Sequence, residues 1–293
     1  MRVGTVRRIA ALLALCGWGV MSEAQTDAAE RALWTLWQTH LRSPDGNSSV
    51  AAACARFADD DPRSPFLPVA AGLGAWHHLR SGNTNEAVKL LQAMDAPQRP
   101  PADTAGTPRA ADVGALREAG VHMARTWLAR LAREQVCVAL RRYYVKHVEY
   151  PAALDRLHAL PAGQRPPLVD PWGAPWVYRT AGFSKLPRTE GQRYTLRSSN
   201  VAGDSRLSDT LNLNYASRMD VRPLRLLSNA GERAVVEFAV GDRGGRQKIA
   251  LAPGGTAGGL RFGFAGATLL ILADADHWLV LPWPTAKAPP AAR

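Results

Sequence analysis

A helix-breaking dipeptide, Tyr150-Pro151, closes a long apolar-faced segment and sets what the chain can form on either side. Proline lacks the backbone amide and forces the preceding residue out of the α region, so a helix must stop here. Before it, Asp112 is placed to cap a helix running to about His147. Leu116, Gly120, Met123, Trp127, Leu131, Val136, Leu140 and Tyr143 mark its apolar face. At the α-helical rise such a helix reaches roughly 50 Å. Arg125, Arg130, Arg133, Glu134, Arg141 and Arg142 are distributed along it, which predicts a helix packed on a small sheet rather than one in a bilayer. Beyond the proline, Asp170-Pro171-Trp172-Gly173 predicts a turn in which Asp caps, Pro fixes φ and Gly takes the left-handed position. Trp176 and Tyr178, then Tyr194 and Leu196, alternate as two short half-buried strands should.

This order resembles the C-terminal globular region of the major pseudopilin of type II secretion systems, over about residues 112–215. That family runs helix, Tyr-Pro, a short Leu-containing helix, Asp-x-(Trp/Tyr)-Gly-x-Pro-(Tyr/Trp)-x-Tyr, then Tyr-x-Leu-x-Ser and a calcium loop. The residues carrying the resemblance are Tyr150-Pro151, Leu154 and Leu157, Asp170 to Tyr178, and Tyr194 to Ser198. It implies a calcium ion in the following loop. Asp204 and Asp209 match the placement of the acidic ligands, and the carbonyls of Leu196, Ser199 and Val201 are candidate partners. Calcium takes six to eight oxygens. Ala202 stands where the family usually has a further Asp, and Arg206 brings a positive charge into the loop. The competing reading is a solvated turn held by Asp and Ser side chains. A second departure is larger. No Gly-Phe-x-x-x-Glu prepilin site occurs, since Gly19 is followed by Val20-Met21-Ser22-Glu23 and then polar sequence. The expectation is a pseudopilin-shaped domain that does not assemble a filament through a hydrophobic helical core.

Residues 1–24 read as a secretory signal. Arg2, Arg7 and Arg8 precede an apolar run from Ile9 to Val20, and Ser22-Glu23-Ala24 is a small-x-small cleavage site. The run is short for a transmembrane helix. An uncleaved anchor is the alternative, and Leu13-Ala14-Leu15-Cys16 has a bulky Leu15 where a lipobox has a small residue. The net charge of +11 over 293 residues comes from Lys and Arg spread along the chain. Behind an export signal this argues for a basic periplasmic protein, with contact to anionic lipid or polysaccharide and no nucleic acid. Cys54 and Cys137, the cysteines beyond the signal, form no disulfide framework; they are expected as buried thiols, with a single pairing in an oxidising compartment as the alternative.

Residues 25–95 carry helical periodicity: Ala29, Leu33, Leu36, Trp37 and Leu41, then Val50 to Phe57, then a hairpin of Phe66–Arg80 and Asn85–Met94. In that hairpin Ala75, Gly82, Ala87 and Leu91 occupy the small and apolar positions of a tetratricopeptide-like unit, though one unit also suits an ordinary bundle. His77-His78 point about 100° apart on a helix and share no metal. Residues 96–111, with Pro97, Pro100, Pro101 and Pro108, read as a linker. From 220 to 283 short strands and Gly-rich turns predict a small β-barrel or sandwich. It loosely resembles periplasmic β-domains of inner-membrane components of type II secretion and type IV pilus machines, and a Pro/Ala-rich tail, 284–293, follows. The expected class is therefore α+β. It comprises a helical module, a pseudopilin-like domain at 112–219 and a small β domain.

Catalytic patterns are few. Gly203-Asp204-Ser205 with Asp274-x-x-His277 resembles the GDS-type esterases, with Ser205 as nucleophile, His277 as base and Asp274 orienting it. That family places its serine near the start of an α/β domain after a buried strand, which is not the case here. The sequence thus points to a non-enzymatic envelope protein, an accessory of a secretion or pilus-type machine working through protein contacts. A stand-alone periplasmic adaptor is the alternative.

Overall fold

The computed structural model describes residues 23–43, 47–96, 108–181, 192–202, 206–212, 221–230, 233–240, 245–252, 254–257, 259–266 and 268–282. Most of the expected leader, the 97–107 part of the linker, Asp204, Ser205 and the C-terminal tail lie outside them. The fold is α+β, helices combined with small antiparallel sheets. The chain divides into two compact units, one made of Met1–Ala124 with Leu213–Arg293, the other of Arg125–Asn212.

In the first unit, α1 (Glu23–Arg42), α2 (Ser48–Asp60), α3 (Leu67–Arg80) and α4 (Thr84–Asp95) follow in order. Asn47 caps α2, its side-chain oxygen accepting from the Ser49 amide at 2.8 Å. Ser81 to Asn83 turn the α3–α4 hairpin, and Gly82 takes φ +77°, a value that L side chains rarely adopt. Ala75, Ala87 and Leu91 are buried, as close helix approach requires. The first turns of α5 (Pro108–His147) also belong here. The helix begins at Pro108 rather than at Asp112, because proline at the first helical position gives up an amide that has no partner anyway. The expected linker is shorter by that much.

The C-terminal strands belong to the same unit as these helices. They form two sheets of order β3-β4-β5 and β6-β7-β8-β9, with β3 at Val221–Ala230, β4 at Arg233–Val240, β5 at Gly245–Leu251, β6 at Thr256–Ala257, β7 at Leu260–Ala265, β8 at Leu269–Ala273 and β9 at Trp278–Pro282. Among the described residues no barrel closes. Every residue of β8 is buried, as befits an inner strand covered on both faces. Its sheet is covered by the helices. Phe264 meets Phe66 edge to face at 5.0 Å, and a Cβ on Gly263 would stand 3.1 Å from Leu116 Cδ1. Trp278, fully buried, is seated where a Cβ on Gly72 would come within 2.6 Å of its Nε1. Glu30, also fully buried, accepts from the amide and hydroxyl of Thr268 at 2.7 and 2.6 Å. The strands after 255 complete the helical core instead of forming a body of their own, which differs from the boundaries read in the sequence.

In the second unit the rest of α5 packs on β1 (Val177–Ala181) and β2 (Arg193–Arg197), an antiparallel pair with Tyr178 opposite Leu196 and Thr180 opposite Tyr194. Val136, Ala139, Leu140, Leu157, Trp176 and Leu196 form its core. As Pro151 requires, α5 ends just before it; 40 residues correspond to about 60 Å. The end itself is unusual. Val148 adopts φ +64° and donates its amide to the Tyr144 carbonyl at 2.7 Å, the left-handed cap normally given to glycine. A β-branched residue there is strained. Val148→Gly is expected to raise unfolding free energy by about 1 kcal/mol, read as a higher urea midpoint at unchanged slope.

Candidate functional site

Asp170 is the organising residue of the second unit. It is 3 % exposed and accepts four hydrogen bonds. Oδ1 takes the amides of Trp172 and Ala174 at 3.0 and 2.9 Å; Oδ2 takes the Ser198 hydroxyl at 2.6 Å and the Asn200 amide at 2.9 Å. The Asp170 amide donates to the Ala174 carbonyl and the Gly173 amide to the Asp170 carbonyl, both at 2.8 Å, with Gly173 at φ +82°. Burial pushes the carboxyl up, but Ser198, Asn200 and the two backbone donors outweigh it and hold it below the usual carboxylate range. The ionised group thereby clamps the Asp-Pro-Trp-Gly turn to the loop leaving β2.

Aromatic side chains continue from this junction. Trp176 donates Nε1 to the Pro167 carbonyl at 3.0 Å, and the Tyr178 hydroxyl donates to the Pro151 carbonyl at 2.9 Å. Tyr144, Tyr150 and Tyr194 follow one another with centroids 4.7 Å apart at each step, the first contact tilted and the second edge to face. Burial, then the neighbouring Tyr150 and Tyr143, push the Tyr178 phenol up to about 12. Tyr194 is raised by burial and by Cys137. The sheet's other face is basic: Arg179, Arg193 and Arg197 are all exposed. Residues 125–212 hold fourteen Lys and Arg against seven Asp and Glu, and one of the seven, Asp170, is buried.

Of the residues expected to hold calcium, Leu196, Ser199, Val201 and Asp209 are among the described residues. The Leu196 carbonyl accepts from Arg133 Nε at 2.9 Å, which puts a positive charge beside that oxygen. Asp209 lies on a short helix, α6 (Leu207–Asn212), next to the Ser208 hydroxyl that donates to it at 3.2 Å. Ser199 and Val201 lie in the bend after β2, where Ser198 rather than Ser199 makes the organising bond. Asp204 is outside the described residues. Among those described, no three His, Cys, Asp or Glu side chains are grouped to hold a metal ion. Of the charges distributed along the helix, Arg130 is buried and donates to the Thr210 hydroxyl at 3.1 Å.

The first unit holds a second polar cluster that sequence reasoning missed. His40, at the end of α1, and His77, in α3, are buried with His40 Nδ1 3.0 Å from His77 Nε2. The Asn47 amide donates to His77 Nδ1 at 3.0 Å. That fixes the tautomers: His77 carries its proton on Nε2, donates it to His40 Nδ1, and leaves His40 protonated on Nε2. Burial, with His277 adding repulsion, lowers His40 to about 4. Burial and the positive charges of His40, His78 and Arg80 lower His77 to about 3. Trp37 and Trp76 flank His40 at 5.0 and 5.7 Å. No local pattern announces a pair 37 residues apart.

Of the esterase arrangement, Ser205 is outside the described residues. Asp274 accepts from the amides of Asp276 and His277 at 2.7 and 2.6 Å, closing the β8–β9 turn, and its Oδ1 lies 3.7 Å from His277 Nδ1. Cys54 is buried, its thiol pushed up to about 12 by burial, and Cys137 is partly buried; both are free. Among the described residues no helix is long and apolar enough to cross a membrane. No protein-family model, curated protein or solved structure matches the chain.

Proposed function

We propose that the chain is an exported, non-enzymatic cell-envelope protein, an accessory of a type II secretion or type IV pilus-like machine that acts through protein contacts. The observation that carries this reading is the layout of residues 125–212. A helix stopped at Tyr150-Pro151 leads to a short 3-10 segment at Leu154–Ala159, the Asp170 turn, and a two-stranded hairpin with inward aromatics. That is the arrangement the pseudopilin-like sequence implies, and Asp170 serves it structurally. All four bonds of its carboxylate go to its own scaffold. Fold likeness alone does not carry activity, so the reading is of a recognition domain. The α3–α4 hairpin belongs to it as a single tetratricopeptide-like unit, and the C-terminal sheets as a sandwich-like part of which β6–β9 covers the helices. Calcium enters only through the loop after β2, where Arg133 at the Leu196 carbonyl argues against it.

The test is affinity purification of the tagged protein from cell envelopes under mild detergent. Recovery of a secretin, a pilin or an inner-membrane platform component is the expected result. Their consistent absence would leave a stand-alone periplasmic adaptor as the better reading.

A further inference from the structure

We propose that the outward face of the last turns of α5 is a docking face for an anionic phospholipid surface. Five large hydrophobic side chains are exposed among the described residues, and three are here: Val138 at 48 %, Val145 at 78 % and Val148 at 68 %. Arg141, Arg142 and Lys146 are exposed between them. The spacing from 138 through 141 and 142 to 145 follows the three-to-four step that keeps residues on one side of a helix, and Val148 follows directly after its last residue. The opposite side is occupied, since Val136, Ala139 and Leu140 are in the unit's core. The face is therefore not a core stripe awaiting its own sheet.

Its chemistry selects the occupant. A second copy of the chain would bring the same three cations against these and be repelled. Tight protein interfaces centre on aromatic or arginine anchors buried in pockets; this surface is a convex helix with short aliphatic side chains. A fluid anionic surface fits both features, because shallow aliphatics enter the headgroup boundary while spread cations meet lipid charge. Val148 adds to this. An exposed aliphatic is held in a left-handed cap where glycine would be more stable, and the lipid face supplies a use for the side chain. The inference goes beyond the proposed protein contacts and stands or falls separately from them.

The test is co-sedimentation of the full chain with vesicles of phosphatidylcholine alone or with about one-third phosphatidylglycerol. Residues 9–20 are apolar and present in every sample, so the ratio of variant to wild type is the deciding quantity. Wild type is expected to partition to the phosphatidylglycerol vesicles and to lose that preference in high salt. Val145→Asp is expected to lower partitioning roughly tenfold. Arg141→Glu with Arg142→Glu is expected to lower it by roughly a hundredfold or more, because each reversal removes an attraction of about fivefold and adds a repulsion. Melting temperatures should stay at the wild-type value, because these side chains are exposed. Variants that partition as wild type does, or equal binding to phosphatidylcholine alone, would overturn the proposal. Binding to polyglutamate with no vesicle binding would assign the face to an acidic polypeptide and overturn it equally.

Discussion

Asp170→Ala is expected to lower the stability of the second unit by about 3–5 kcal/mol. The substitution removes four accepted hydrogen bonds at once and leaves the Trp172 and Ala174 amides without their acceptor. The Ser198 hydroxyl and the Asn200 amide lose theirs too, so the turn and the loop after β2 separate. Asp170→Asn separates geometry from charge. Its carbonyl oxygen can keep the two backbone amides, and Ser198 can rotate to accept, but its amide faces the Asn200 amide, donor against donor. A loss of about half the alanine value is expected, unless Asn200 turns over. Urea unfolding followed by tryptophan emission reads both, since Trp172 and Trp176 adjoin the junction. A loss below about 1 kcal/mol for alanine would mean that water replaces the carboxylate at little cost.

The second large effect is acid sensitivity of the first unit. His40 and His77 titrate in the folded protein at about 4 and about 3, below the ordinary 6.5. The unfolded chain therefore binds more protons than the folded one between these values, and stability falls as pH drops. The window opens near pH 6.5 and runs to about 4 for His40 and about 3 for His77. Once its window is crossed, His40 is expected to account for roughly 3 kcal/mol and His77 for roughly 5 kcal/mol. His78 and His122 shift the same way, both chiefly through burial. Asp170 and Asp274 have depressed carboxyl groups, so their contribution is also lost on acidification, but only below the ordinary carboxylate range. Denaturant midpoints measured from about pH 7.5 to 4 should thus decline well before any carboxylate titrates. In His40→Gln with His77→Gln the decline should be shallower, whatever the variant's stability at neutral pH. A wild-type curve flat down to about pH 4.5 would contradict the buried neutral pair.

What could be read from the residues was local. The Asp170 turn, the left-handed Gly82, the stop at Pro151 and the alternation in β1 and β2 follow from rules spanning a few positions, and the structure has each of them. What escaped was long-range. β3 runs through Pro223, which argues against a strand; it is tolerated because β3 is an edge strand whose register shifts at that point. Glu30 looks like a solvent-side residue of an amphipathic helix until Thr268, 238 positions later, supplies its partners. The His40–His77 bond and the seat of Trp278 against Gly72 are of the same kind. Of the calcium site, the sequence offered oxygens but not the Arg133 guanidinium, which reaches Leu196 from 63 residues away.

The first unit is interrupted in sequence by the second, and this orders events in time. Helices α1 to α4 leave the ribosome early, but Trp278, Phe264 and Thr268, which pack against or bond to them, come last. Until then the hollow at Gly72 stands open and the Glu30 carboxylate lacks the two donors of Thr268. Residues 125–212, by contrast, have all their core partners within one continuous stretch. The inserted unit can therefore finish folding while the enclosing one waits, exposing apolar helix faces to chaperones for the whole delay.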